Sequence, residues 1–301
     1  MKVLVTGSHG QLGNELRRCF ETMQAEIGPV SETYAGANVH YIDYDVLDIS
    51  DGHAVAAWFG AHGPYDLVVN CAAITNVDGC ERDEAGALKV NALGAMHLAR
   101  ASQACGAKFV HVSTDYVFAG DDPKPRCESD AVRPISAYGR SKLAGELLAL
   151  DACERTFVVR TAWLYGYVGK NFVKTMLRLA RECGSISVVA DQMGNPTSAN
   201  DLAYEVLRIA ETDDFGTYHC TNNGTCSWFD FASAVIDLAG VECVKEPLTS
   251  DEYKARFPQS ANRPAYSSLD NAHLRETIGD EMRPWREALE TYMAHLPELG
   301  D

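Results

Sequence analysis

Three glycines spaced three residues apart, directly behind the first apolar run of the chain, constrain its fold more than any other feature. The run Lys2–Thr6 reads as a β-strand. Thr6-Gly7-Ser8-His9-Gly10-Gln11-Leu12-Gly13 then opens an amphipathic segment, Gln11–Met23, that reads as a helix. Glycines at such a junction let backbone N–H groups approach a phosphate at a helix N-terminus, whose dipole favours negative charge. Gly7, His9, Gly10, Gln11, Leu12 and Gly13 are therefore candidate pyrophosphate ligands. A tight turn uses glycine for steric reasons as well. The place of the motif, right after an N-terminal strand, is what favours phosphate over a plain turn.

The rest of the first half repeats the alternation. Short β-rich runs at Val39–Ile42, Asp66–Cys71, Lys108–Ser113 and Phe157–Arg160 alternate with helical segments at Asp51–His62, Ala85–Cys105 and Ala137–Ala152. Strands separated by helices imply crossover connections, hence an α/β fold with a Rossmann-type, doubly wound parallel sheet. The second half is less regular. Helices are expected at Asn171–Cys183, Asn200–Glu211 and Ser227–Ala239, the last with a capping-box start and a stop at Gly240. Strands are expected at Ser187–Ala190 and Thr217–Cys220. This predicts a dinucleotide-binding domain over 1–160 and a smaller C-terminal α/β lobe over 161–301, interleaved and without a linker.

Composition narrows the partners. The formal net charge of −16 argues against nucleic acid, whose binding needs a basic surface. No apolar run approaches the ~20 residues of a membrane span, and the few apolar residues before Gly7 do not make a signal peptide. A cytoplasmic protein is expected. The ten cysteines are scattered without a Cys-x-x-Cys pair; they read as reduced thiols, and no metal site is predicted from them. An anionic ligand would need local cations, for which Lys174, Arg178, Arg256 and Arg263 are candidates.

Asp43 ends the second strand, where a carboxylate can accept a hydrogen bond from an adenosine ribose. Asp48 lies in the same acidic stretch. Two readings stand for this stretch, ribose binding and ordinary surface acids that precede a helix. Neither Lys nor Arg occurs between Arg18 and Arg82 to hold a 2′-phosphate, so NADH is expected to serve at least as well as NADPH.

Of thirteen tyrosines only Tyr138 has a lysine four residues on, Lys142, which places both on one helical face. A phenol is a poor acid–base group at neutral pH unless a cation stabilises its phenolate. The pair follows the hydroxyls Ser113 and Thr114, at the carboxyl end of the fourth strand, where open α/β sheets place ligands.

Together with Asn70-Cys71-Ala72-Ala73 and Ser113-Thr114-Asp115-Tyr116-Val117-Phe118, these motifs resemble those of the extended short-chain dehydrogenases and, within them, the dTDP-4-dehydrorhamnose reductases. The likeness runs nearly end to end. It takes in Arg160-Thr161-Ala162-Trp163-Leu164-Tyr165, Asn171-Phe172, Asp191-Gln192-Met193-Gly194-Asn195-Pro196-Thr197 and Arg263-Pro264. The resemblance implies reduction of the C4 keto group of a dTDP-4-keto-6-deoxy-sugar by NADPH or NADH. It implies that Thr114 binds the keto oxygen, that Tyr138 delivers the proton, and that Lys142 binds the nicotinamide ribose and lowers the tyrosine pKa. Ala72, Ala73 and Thr75 would line the dinucleotide groove. Asp115, Tyr116, Trp163, Asn171, Gln192, Thr197 and Arg263 would shape the substrate pocket. Trp163 also reads as plain core, and Thr197 as part of a helix cap. A monomer or homodimer is implied. Some relatives dimerise around Mg²⁺ through acidic residues, a role open to Glu15, although a plain surface glutamate is the expected reading.

Three other readings share the fold. A nucleotide-sugar dehydratase would carry Asp-Glu where this chain has Asp115-Tyr116. An epimerase lacks the Thr-Asp-Tyr run. A non-catalytic, dinucleotide-binding regulatory subunit has no need of the Tyr138–Lys142 pair.

Overall fold

Val3, Leu4 and Val5 are all completely buried, and a strand with no solvent face belongs inside a parallel sheet. The computed structural model, which describes residues 1–296, places them there. The strands are β1 (Lys2–Thr6), β2 (Asn38–Ile42), β3 (Leu67–Asn70), β4 (Lys108–Thr114), β5 (Thr156–Thr161) and β6 (Gly216–His219). They form one parallel sheet in the order β6-β5-β4-β3-β1-β2. The chain steps outward from β1 to β2, then returns to the other side of β1 with β3. That reversal opens a crevice at the carboxyl ends of β1 and β3, the place where such sheets bind ligands.

Helices α1 (Gln11–Thr22), α2 (Gly52–His62), α3 (Ala95–Cys105) and α4 (Ala137–Ala152) follow the first four strands in turn. Beyond β5 come α5 (Phe172–Cys183), α6 (Ala199–Glu211), α7 (Trp228–Leu238) and α8 (Trp285–His295). Alternate side chains of β1 feed opposite cores. Val3 and Val5 pack with Leu12 and Leu16 of α1 and with Leu202 and Val206 of α6. Leu4 packs with Val55 of α2, Leu98 of α3 and Ala149 of α4. A third core lies in the C-terminal half, where Val173, Phe231, Trp285 and Tyr292 join α5, α7 and α8.

The run expected as one helix, Ala85–Cys105, is divided. It forms a short helix Glu84–Leu88, a π-wound stretch Lys89–Gly94, and α3. The widened turn carries Asn91, whose carbonyl oxygen lies so close to α4 that a Cβ on Gly145 would stand 2.2 Å from it. The strand expected at Ser187–Ala190 occupies Ser185–Val189 and pairs in parallel with Val244–Leu248. The partner's sequence, Val-Lys-Glu-Pro-Leu, hides it from pattern reading. The strand expected at Thr217–Cys220 is the edge strand β6, so the chain beyond residue 160 returns to the main sheet. The Ser227–Asp230 capping box forms as expected. Residues 297–301 of the expected C-terminal lobe lie outside the described residues. No helix among the described residues is long and apolar enough to cross a membrane.

Candidate active site

The glycine loop is set against the end of β3. Gly7 has φ +67°, and a Cβ there would lie 2.5 Å from the Ala72 nitrogen. A Cβ on Gly13 would lie 2.5 Å from the Gly7 carbonyl oxygen. Both positions therefore require glycine. Gly10 precedes α1 without a side-chain cap, and the first turn carries no acid, so the leading N–H groups at Gln11, Leu12 and Gly13 are open to an anion. The Ser8 hydroxyl beside them is buried without a partner. A dinucleotide pyrophosphate fits this cradle.

Next to it a cavity of about 420 Å³ is lined by Asp43, Asp48, Ala72 and Ala73. Asp43 accepts from the backbone N–H of His9 and of Tyr44, both at 2.8 Å. Asp48 accepts from the Ser50 N–H at 2.9 Å, so it shapes the turn as well as facing the cavity.

On the other side of the glycines lies a cleft of about 500 Å³ whose walls include Thr75, Thr114, Asp115, Tyr138, Lys142 and Trp163. Ser136 caps α4 by accepting from the Gly139 N–H at 3.1 Å, which starts the helix just before Tyr138. One turn on, the Lys142 ammonium donates to the Val112 carbonyl oxygen at 2.6 Å. Burial lowers the Lys142 pKa to about 8, opposed by the nearby Glu146 and Cys71. Burial pushes the Tyr138 phenol up, hydrogen bonding with Thr114 works against that rise, and Asp115 adds to it. The phenol is therefore neutral before substrate arrives. The Thr114 hydroxyl donates to Asp115 at 2.9 Å. Asp115 is itself buried, with one carboxylate oxygen unpartnered, and burial raises its pKa to about 6 against hydrogen bonds from Ser267 and Thr114.

The other expected pocket residues divide. Trp163 lines the cleft at φ +46°. It stacks on Trp228 with ring centroids 3.5 Å apart, and Gly194 leaves room for it, since a Cβ there would lie 2.5 Å from the indole. A tryptophan in the left-handed region is strained, and such strain gathers at functional sites. Tyr116 meets Tyr138 edge-on, centroids 5.6 Å apart, and the nearby Arg263, whose guanidinium reaches Asp78 at 3.1 Å, opposes the rise that burial gives the Tyr116 phenol. Neither Tyr116 nor Arg263 lines the cleft, and three others also stand behind its wall. Asn171 caps α5 and donates to the Gly166 carbonyl oxygen at 2.7 Å. Gln192 donates to the Ser250 hydroxyl at 3.0 Å. The Thr197 N–H donates to the Trp163 carbonyl oxygen at 3.2 Å, which steadies the strained turn.

Sequence reading passed over several residues of the site. Lys170 lines the cleft, whereas Lys174 donates to the Tyr167 carbonyl oxygen and Arg178 pairs with Glu182. Asn91 exchanges hydrogen bonds with the backbone of Ile74 at 2.7 and 3.0 Å and donates to Ser141 at 2.9 Å. It thereby ties the Ala72–Thr75 wall to the helix of Tyr138. Behind Lys142, Glu146 pairs with Arg160 at 2.8 Å and accepts from Ser113, all three side chains buried. Glu15 is not the expected surface glutamate, nor is it placed for a surface Mg²⁺ ion. Its carboxylate is buried, accepts from Asn200 at 2.7 Å, and lies 3.7 Å from Arg18.

Comparison with known proteins agrees with this geometry. The chain is 41% identical over 300 residues to the spore coat polysaccharide biosynthesis protein SpsK of Bacillus subtilis, covering 100% of this chain and 99% of that one. A dTDP-4-dehydrorhamnose reductase structure from Clostridium acetobutylicum superposes with a TM-score of 0.90 at 42% identity, over 99% of this chain and 100% of the other. A second, the Bacillus anthracis reductase in complex with NADP, gives 0.89 at 38% identity, over 98% and 99%. The family model described as RmlD substrate binding domain matches residues 1–297. With the glycine cradle, the Tyr138–Lys142 helix and the cleft between them in place, the chain belongs to the RmlD substrate binding domain family.

Proposed function

We propose that this chain reduces the C4 keto group of dTDP-4-dehydro-L-rhamnose to give dTDP-L-rhamnose. The observation that carries this reading is the convergence of Thr114, Tyr138 and Lys142 on one cleft that continues into the glycine cradle. The kinship with two reductases of that name, one solved with NADP, supports the sugar and the cofactor. Residues 1–160 would hold the dinucleotide and most of 161–301 the sugar nucleotide.

The glycine loop and Lys142 would hold a reduced nicotinamide dinucleotide, which when bound would supply the hydride. Thr114 aligns the keto oxygen by a hydrogen bond. Tyr138 keeps its proton in the buried site until negative charge develops on that oxygen, then transfers it. The Lys142 ammonium, fixed by Val112, lends positive charge behind the phenol as it ionises and is placed to hold the cofactor ribose. Asp115 and Trp163 border the sugar, and Lys170 offsets phosphate charge at the mouth of a strongly acidic protein. We further infer a cytoplasmic monomer or homodimer that takes no nucleic acid.

Loss of reduced-nicotinamide absorbance with a panel of dTDP- and UDP-linked keto-sugars tests the reading. Turnover is expected with the dTDP-4-keto-6-deoxy-sugar. Oxidation of the cofactor by none of the panel would overturn it.

A further inference from the structure

The ribose end of the dinucleotide groove holds a group that the reaction itself does not use. The His9 backbone N–H fixes one oxygen of Asp43 at 2.8 Å, and the Tyr44 N–H fixes the other at the same distance. The carboxylate is thus locked at the end of β2, where it accepts a hydrogen bond from a free ribose 2′-hydroxyl and repels a 2′-phosphate. The His9 ring stands over it, with Nδ1 4.0 Å from the Asp43 carboxylate and the side chain 67% exposed. His9 lines both the 420 Å³ cavity and the 500 Å³ cleft.

The charged surroundings of the ring are few. From the end of β2 and the turn after it come Asp43, Asp45 and Asp48. From the far side of the adjoining cleft comes Lys170, and the first turn of α1 carries no acid. The cavity at Asp43 is lined by no Lys or Arg among the described residues, and the sequence has neither between Arg18 and Arg82. The imidazole is the one lining group there able to become a cation, and histidine changes charge between about pH 5 and 8.

We propose that His9 is a proton-operated selector of the cofactor. Neutral, it leaves Asp43 in control and NADH binds better. Protonated, it offsets Asp43 and donates to the 2′-phosphate of NADPH. The inference rests on the proposed nicotinamide-dependent function and adds to it a specificity residue and a pH dependence.

Fluorescence titration of NADPH and NADH tests it by direct binding, from about pH 6 to 8.5, at fixed ionic strength and with EDTA to remove divalent cations. The ratio of the NADPH to the NADH dissociation constant is expected to rise about tenfold across that range, the strength of one charge-assisted hydrogen bond. His9→Gln is expected to keep the ratio in favour of NADH and to retain only the smaller pH dependence that the 2′-phosphate's own proton brings. The 2′-phosphate takes up its own proton near pH ~6, but it does so identically with both proteins, so the difference between them isolates His9. Asp43→Asn should tighten NADPH at the alkaline end. A ratio that does not move with pH in the natural chain, or that moves equally in His9→Gln, overturns the proposal. So does an Asp43→Asn protein with unchanged NADPH affinity. Failure of both nucleotides to bind at any pH would instead remove the proposed function, and the inference with it.

Discussion

The ammonium of Lys142 is tied to the carbonyl oxygen of Val112 at 2.6 Å, one helical turn beyond Tyr138. That tie places a positive charge at the carboxyl end of β4 before any substrate arrives. Burial lowers the lysine pKa to about 8, so the charge is present at neutral pH and lost as pH rises through that value. The catalytic efficiency kcat/KM is expected to fall above about pH 8. Lys142→Ala should lose turnover and dinucleotide affinity together, because one ammonium serves both. A rate profile flat well into the alkaline range, or a pure rate effect with unchanged affinity, would contradict this.

Asp115 keeps one carboxylate oxygen buried and unpartnered, and its pKa is raised from 3.8 to about 6. The folded state therefore holds the proton more tightly than the unfolded chain does. The charged form costs stability above about pH 6, and that cost disappears as pH falls to 3.8. Asp115→Asn is expected to stabilise the protein by roughly 1–3 kcal/mol at pH ~8, with the gain vanishing near pH ~4, while lowering turnover. Thermal unfolding at the two pH values checks the sign. Equal stability of the two proteins at the alkaline value would show that the carboxylate is compensated.

Glu146 and Arg160 form a buried pair at 2.8 Å, with Ser113 donating to the glutamate and the Phe118 ring 5.3 Å from the guanidinium. Glu146→Gln leaves an uncompensated guanidinium and should cost about 3–5 kcal/mol in urea unfolding. Replacing both residues with methionine should cost far less. A double variant as unstable as the single one would mean that the pair itself contributes the stability.

Much of this was legible in the sequence, and for physical reasons. Val3, Leu4 and Val5 are apolar without a break because both faces of β1 are covered, and Gly7 and Gly13 are glycine because backbone lies where a Cβ would go. Ser227 and Asp230 announce their helix because a capping box is a local interaction. What depends on distant partners was hidden. Asn91 looks like any polar residue inside a helical run, yet its side chain ties the Ile74 backbone to Ser141 across the fold. Val244–Leu248 carries a lysine, a glutamate and a proline and still forms a strand, because its partner strand Ser185–Val189 supplies the pairing. The stack of Trp163 on Trp228, sixty-five positions apart in sequence, required the C-terminal half to fold back over the cleft. The tie from Lys142 to Val112 was not legible either, because it ends on a backbone carbonyl.

The central claim is that the phenol of Tyr138 gives the proton, and Tyr138→Phe tests it most directly. The variant removes the hydroxyl and nothing else from a half-buried ring packed against Cys80, Ala87 and Ala137. Single-turnover reduction of the keto-sugar should slow by a factor of about 10²–10⁴, while dinucleotide affinity measured by fluorescence stays at the parent value. Reduction at the parent rate would contradict the assignment and move the proton donor to another group in the cleft.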